Sequence, residues 1–186
     1  MDIEVPKPDD PLDGAGRVNR GAGNVAGSSA SGREGPGSGG PDPYDLARFV
    51  HAQENVYERA LEELRAGRKR SHWIWFIFPQ LAGLGSSAMS RRYAIRNIEE
   101  AGEYLRHPVL GPRLVECTEA VNALDGRSAR QIFGAPDDKK LCSSMTLFEL
   151  VSGPGSVFAA ALEKYFSGER DARTIDMVRP TSEGGR

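Results

Sequence analysis

A chain of 186 residues, 39% hydrophobic and 27% charged, has the make-up of one globular domain with an extension. The net charge is −2, and four Lys/Arg against six Asp/Glu precede Asp42, which leaves the remainder balanced at twenty of each. That balance argues against a protein held to nucleic acid by phosphate charge, and no run approaches the eighteen apolar residues of a membrane span.

The N-terminus is acidic and carries no apolar run, so no signal peptide is expected and the cytoplasm is the default location. Residues 1–41 are dense in Gly, Pro, Ser and Asp, with almost nothing to bury. Such a segment cannot offset the entropy of ordering, so a disordered tail is predicted there. Order is expected over 42–179, followed by a short C-terminal tail over 180–186.

Asp42-Pro43 reads as a helix N-cap followed by a first-turn proline. Leu46, Phe49, Val50, Gln53, Tyr57, Ala60, Leu61 and Leu64 recur at three- and four-residue spacing, which predicts one amphipathic helix of about 22 residues. Gly67 ends it, with Arg65, Arg68 and Lys69 at the negative end of its dipole. The apolar run Trp73–Phe78 fits a buried strand or a buried helical turn, and Pro79 stops either. A loop follows over 81–87, then a short helical stretch over Ser90–Arg96. Asn97 with Glu100 three residues on reads as a capping box.

The next helix, opened by Gly111-Pro112, turns Leu114, Cys117, Val121 and Leu124 inward, and Ser128 caps a brief turn. Asp137 is expected to cap a helix whose inner face carries Leu141, Ser144, Met145, Phe148 and Val151. Gly153-Pro154-Gly155 breaks the chain, and a last long helix buries Val157, Phe158, Leu162, Tyr165 and Phe166. A short element around Thr174–Val178 closes the order. With no alternating strand pattern and no repeat, the fold class is all-α: one compact multihelical domain. Cys117 and Cys142 have no CxxC or ligand spacing and read as small buried hydrophobes.

The densest chemistry lies in Lys69-Arg70-Ser71-His72-Trp73-Ile74-Trp75-Phe76-Ile77-Phe78-Pro79-Gln80, which holds both tryptophans of the chain. Trp73 and Trp75 share a face on a strand, where they form a stacking platform, but diverge by about 200° on a helix. Lys69 and Arg70 can hold phosphate through charge-assisted hydrogen bonds, and Ser71 can hold phosphate or ribose. Gln80 can read a base edge or a sugar hydroxyl, and His72 can act as a general acid or base near neutrality. Each has a plain structural reading beside it: core packing for the indoles, a solvated helix end for the cations, a hydrogen-bonded histidine, an amide capping backbone. Asp138 or Glu54 is a candidate carboxylate for stabilising an oxocarbenium-like transition state or activating water. Ser143 and Ser144 lack a nucleophile elbow. Gly83-Leu84-Gly85-Ser86-Ser87 lacks the strand and helix context of a phosphate loop. No metal-ligand spacing and no cofactor motif is present.

Four stretches together resemble one family: Arg48-Phe49-Val50-His51-Ala52-Gln53, Gly67 through Leu81, His107-Pro108-Val109-Leu110-Gly111-Pro112-Arg113-Leu114, and Ile132 through Phe148. The chain is identified as similar to the bacterial domain-of-unknown-function family 1810 (DUF1810) over about residues 43–179. The resemblance implies a small, mainly helical cytoplasmic domain without an established activity. Members are sometimes labelled calpastatin, a poor fit because a calpastatin is a disordered chain. The family is grouped distantly with NADAR proteins, which resemble N-glycosidases acting on ADP-ribosylated or ribosylated bases. That grouping implies a pocket for a nucleotide-like or ADP-ribose-like ligand, by fold-level analogy, and carries no catalytic position over. The other expectation is a non-enzymatic module that docks a protein around Lys69–His72.

Overall fold

A computed structural model of the chain describes residues 42–179. The tails expected over 1–41 and 180–186 lie outside the described residues. Among the described residues there are ten helices: α1 (Ala47–Gln53), α2 (Tyr57–Arg65), α3 (Ile74–Ile77), α4 (Ala88–Arg92), α5 (Ile98–Arg106), α6 (Leu110–Asn122), α7 (Ala129–Phe133), α8 (Asp137–Ser152), α9 (Val157–Phe166) and α10 (Ala172–Val178). The class is all-α; among the described residues the one strand-like feature is an isolated parallel bridge between Leu81 and Ile95. No helix among the described residues is long and apolar enough to cross a membrane.

The single helix predicted over 43–64 is two. Val56 leaves helical geometry at φ −122°, and α1 and α2 flank the break. Asn55 and the β-branched Val56 are weak helix formers, and the two halves dock on different partners, α1 on α3 and α2 on α6. Gln53 at the break is buried, its amide donating to Phe76 O at 2.7 Å and Tyr104 Oη at 3.2 Å. Asp42 is not the N-cap; its carboxylate accepts from the Ala47 amide at 3.0 Å and ties down the preceding turn.

The Trp73–Phe78 run resolves as a helical turn, α3, ended by Phe78 at φ −121° and by Pro79. The short helix expected over 90–96 is α4, over Ala88–Arg92, because Ser87 accepts from the Ser90 amide and starts it earlier. Asn97 does cap α5, accepting from the Glu100 amide at 2.9 Å. The Glu100 carboxylate does not return to Asn97. It is fully buried and accepts from Arg48 Nη2 at 2.6 Å, the Arg96 amide at 2.8 Å and Arg96 Nε at 3.0 Å. A buried carboxylate needs a charged partner more than a helix end needs a second cap. The full box occurs instead at Ser128 and Gln131, at the start of α7. His107, expected only to end α5, also serves α6: its Nδ1 accepts from the amides of Val109 and Leu110.

The α8 helix is the axis of the domain. It is buried continuously from Ser143 to Glu149 and packs against α5, α7, α9, α10 and α3. A helix enclosed on nearly every side must satisfy most of its polar residues internally, and Ser144 is the exception, its buried hydroxyl having no hydrogen-bond partner among the described residues. Ser143 donates to Lys139 O, Thr146 donates to Cys142 O, and Glu149 receives Arg170 in a two-pronged pair at 2.6 and 2.8 Å. Leu141, Met145 and Phe148 lie in the core on the predicted face; Val151 is only half-buried.

Candidate functional site

The segment from Gly67 to Gln80 runs from the end of α2, past α7 and the start of α8, into α3. Gly67 turns the chain at φ +65°. The backbone that follows is tied at every amide: Arg68 donates to Glu63 O at 3.0 Å, Lys69 to Ile132 O at 2.7 Å, and Arg70 and Ser71 to Glu63 Oε2 at 2.7 and 3.0 Å. The Glu63 carboxylate also receives the Ser71 hydroxyl at 2.6 Å and Trp73 Nε1 at 2.9 Å. Burial pushes this carboxyl up, but the hydroxyl, the two amides and the indole together outweigh it and hold it at about 2.

A second knot is ionic. The Lys69 side chain is only 7% exposed and pairs with Asp137 Oδ2 at 2.7 Å, while also donating to Ser71 O at 2.7 Å. Lys140 reaches Asp137 Oδ1 at 2.7 Å. Burial raises the Asp137 carboxyl, and the hydrogen bonds and charges of Lys140 and Lys69 more than reverse this, leaving it below the ordinary range. The cap expected at Asp137 is therefore not made: Pro136 occupies the cap position and the carboxylate serves the two lysines. Asp138 is half-buried and accepts from the Lys139 amide at 2.9 Å.

The indoles part company. Trp73 is 0% exposed, set among Phe78 and Phe133 with ring centroids 6.3 Å away in each case. Trp75 is half-buried beneath Lys140, whose Nζ lies 4.7 Å from the ring centroid. Trp75 lines a hollow of about 10 Å³ together with Gln80, Leu81, Gly85, Ser90 and Tyr93. That is the room of about one water, against roughly 300 Å³ or more for a pocket that encloses a nucleotide-sized ligand. Gln80 is lightly held there, with one long donation to Phe78 O at 3.4 Å. The structure thus joins Trp75 to Gln80 at one hollow, and Lys69, Ser71 and Trp73 around Glu63 and Asp137. Arg70 and His72 are exposed, and neither side chain makes a hydrogen bond or ion pair among the described residues. His72 and Asp138 share no such contact either. Among the described residues no group of three His, Cys, Asp or Glu is placed to hold a metal ion.

Glu63 is the organising residue that sequence reasoning missed. A signal was present: Glu62 and Glu63 lie near the C-terminal end of α2, where the helix dipole disfavours negative charge. A carboxylate in that position implies a compensating set of donors, and the donors lie in the segment just downstream.

A family model described as a protein of unknown function, DUF1810, matches residues 43–178. The chain belongs to the DUF1810 family. The crystal structure of the conserved hypothetical protein Rv1873 from Mycobacterium tuberculosis is similar to this DUF1810 chain, with 57% identity and a TM-score of 0.74. The match covers 75% of this chain and 100% of that one. Among curated proteins, none matches.

Proposed function

We propose that this DUF1810 domain is a non-enzymatic interaction module that docks an acidic protein partner on the segment Arg68–His72. The observation that carries the reading is an alternation. Gly67, Lys69, Ser71 and Trp73 turn inward to buried or half-buried positions, while Arg68, Arg70 and His72 are exposed. Period two puts Arg68 and Arg70 on one outward side, and His72 follows, exposed, across the bend at 71–72. The backbone beneath them is already immobilised by Glu63 and Ile132, so little ordering cost remains for a partner to meet. Lys69, counted with Arg70 from the sequence as a surface cation, belongs to the interior pair with Asp137 and is not part of this face. The test is affinity capture with the full chain and with the double variant Arg68→Glu, Arg70→Glu. Loss of a captured partner on charge reversal supports the reading; identical capture by both proteins removes it.

The hollow at Trp75 and Gln80 supports a second reading: a nucleotide-like or ADP-ribose-like ligand, with N-glycosidase action as the chemistry. Trp75 would stack the base and Gln80 would orient it, whereas Lys69, Ser71 and Trp73 are held around Glu63 and Asp137 and do not line this hollow. His72 would act on a proton, and Asp138 would offer the carboxylate. A hollow of this size must widen before any base enters, and Gly85 is the part of the 83–87 loop in its wall. Thermal unfolding in millimolar ADP-ribose, NAD and nucleosides tests this, because a ligand bound only by the folded state raises its stability. A melting temperature unmoved by all of them sinks it.

A further inference from the structure

The docking role proposed above leaves the form of the partner open, and the free and spent groups of Gly67–Trp73 narrow it. Every amide from Arg68 to Ser71 is already used within the domain. A partner strand cannot extend this segment by backbone pairing, which needs a free edge. Recognition must come through side chains. Two of them, Arg68 and Arg70, are exposed, and neither has an ion-pair partner among the described residues. Arg127 flanks them, its Nη1 donating to Gly67 O at 3.0 Å, and His72 follows on the far side of a bend. The amides of Arg68 and Arg70 turn to Glu63 and that of Lys69 to Ile132, the alternation of an extended chain, in which residues two apart lie roughly 6.6 Å from one another at Cα. Arginines carried by the backbone at that interval match carboxylates on alternate residues of a second extended chain, whose Cα atoms are spaced the same way on one face.

We infer that the partner presents an extended acidic segment with carboxylates at alternate positions, read by Arg68 and Arg70 with Arg127 and His72 at its edges. Acidic residues three apart on an extended chain fall on opposite faces, so only part of their charge meets this surface. The inference rests on the docking reading, and two peptides of one composition separate the two ideas. One is Glu-Ser-Glu-Ser-Glu-Ser-Ser and the other Glu-Ser-Ser-Glu-Ser-Ser-Glu, both end-capped and fluorescently labelled. Each is titrated by anisotropy with the full chain at low salt and with its Arg68→Glu, Arg70→Glu variant. The alternating peptide is expected to bind roughly fivefold more tightly, the yield of one further exposed ion pair. Its binding should fall with added salt and vanish in the variant, whose melting temperature should equal that of the parent. Equal affinity of the two peptides, both lost in the variant, overturns the alternating strand and leaves acidic docking standing. Binding that survives the double reversal, or no binding of either peptide to the parent, overturns the inference, and survival removes the docking face as well.

Discussion

Trp73 and Trp75 are two positions apart at the start of one helical turn, yet their surroundings have little in common. Trp73 is enclosed by Phe78 and Phe133, and its single polar atom is matched to a carboxylate. Trp75 faces partly outward, beside a water-sized hollow and under a lysine. Trp73 stands at the cap position before α3 and Trp75 inside it, and the helical step of about 100° per residue turns the two rings apart. The difference teaches that an aromatic run is not one surface. Its inner half can be spent on the core and on tying a loop, while its outer half remains available for contact.

The contrast is most directly broken at Trp73. Trp73→Ala should cost about 3–5 kcal/mol of unfolding free energy, as large-to-small changes in a closed core do. Trp75→Ala should cost about 1 kcal/mol, nearer to a surface change. Urea denaturation of the two variants side by side checks this; equal losses would mean the two rings share one environment after all.

Asp137→Asn comes next. It leaves Lys69, nearly enclosed, beside Lys140 without a counter-charge. A loss of about 2–3 kcal/mol is expected by urea denaturation, toward the lower end of what breaking a buried pair costs because Asp137 keeps some exposure.

Glu63→Gln should cost about 1–2 kcal/mol at neutral pH, since the amide can replace only part of what the carboxylate accepts. The pH dependence sharpens the point. The folded-state value of about 2 lies below the ordinary 4.5, so the ionised Glu63 stabilises the fold fully above pH 4.5 and loses that contribution as pH falls toward 2. The gap in stability between the parent and Glu63→Gln should therefore narrow between pH 7 and pH 3. A gap that stays constant over that range would show that the charge on Glu63 is not what the segment depends on.

The smallest effect belongs to the outward residues. Arg68→Glu with Arg70→Glu should change stability by no more than about 0.5 kcal/mol, as exposed substitutions do, while abolishing acidic-peptide binding. A large loss of stability would place these side chains in the fold rather than on a docking face.

Much of this arrangement was legible from residue order. Caps at Asn97 and Ser128 and the inward faces of α6, α8 and α9 depend on residues three or four apart, and those signals are local. The break between α1 and α2 was legible only in part, because Asn55 and Val56 are a weak local signal and the partners of Gln53 at the break, Phe76 and Tyr104, are 23 and 51 residues away. Asp137 read as a cap for the same reason: a helix start is visible locally, whereas the buried ammonium of Lys69 that claims it is not. Within the candidate site, Trp75 and Gln80 meet at the hollow, while Trp73 and Lys69 turned inward against their neighbours.

Periodicity and capping chemistry were enough to specify an all-helical domain of known element order and to mark Lys69–Gln80 as its most chemically dense stretch. Which of those twelve side chains are spent inside and which stay free was settled by packing. Glu63 and Asp137 reach them only once α2, α7 and α8 have come together, and a charge becomes internal or external by the company it is given rather than by its neighbours in the chain.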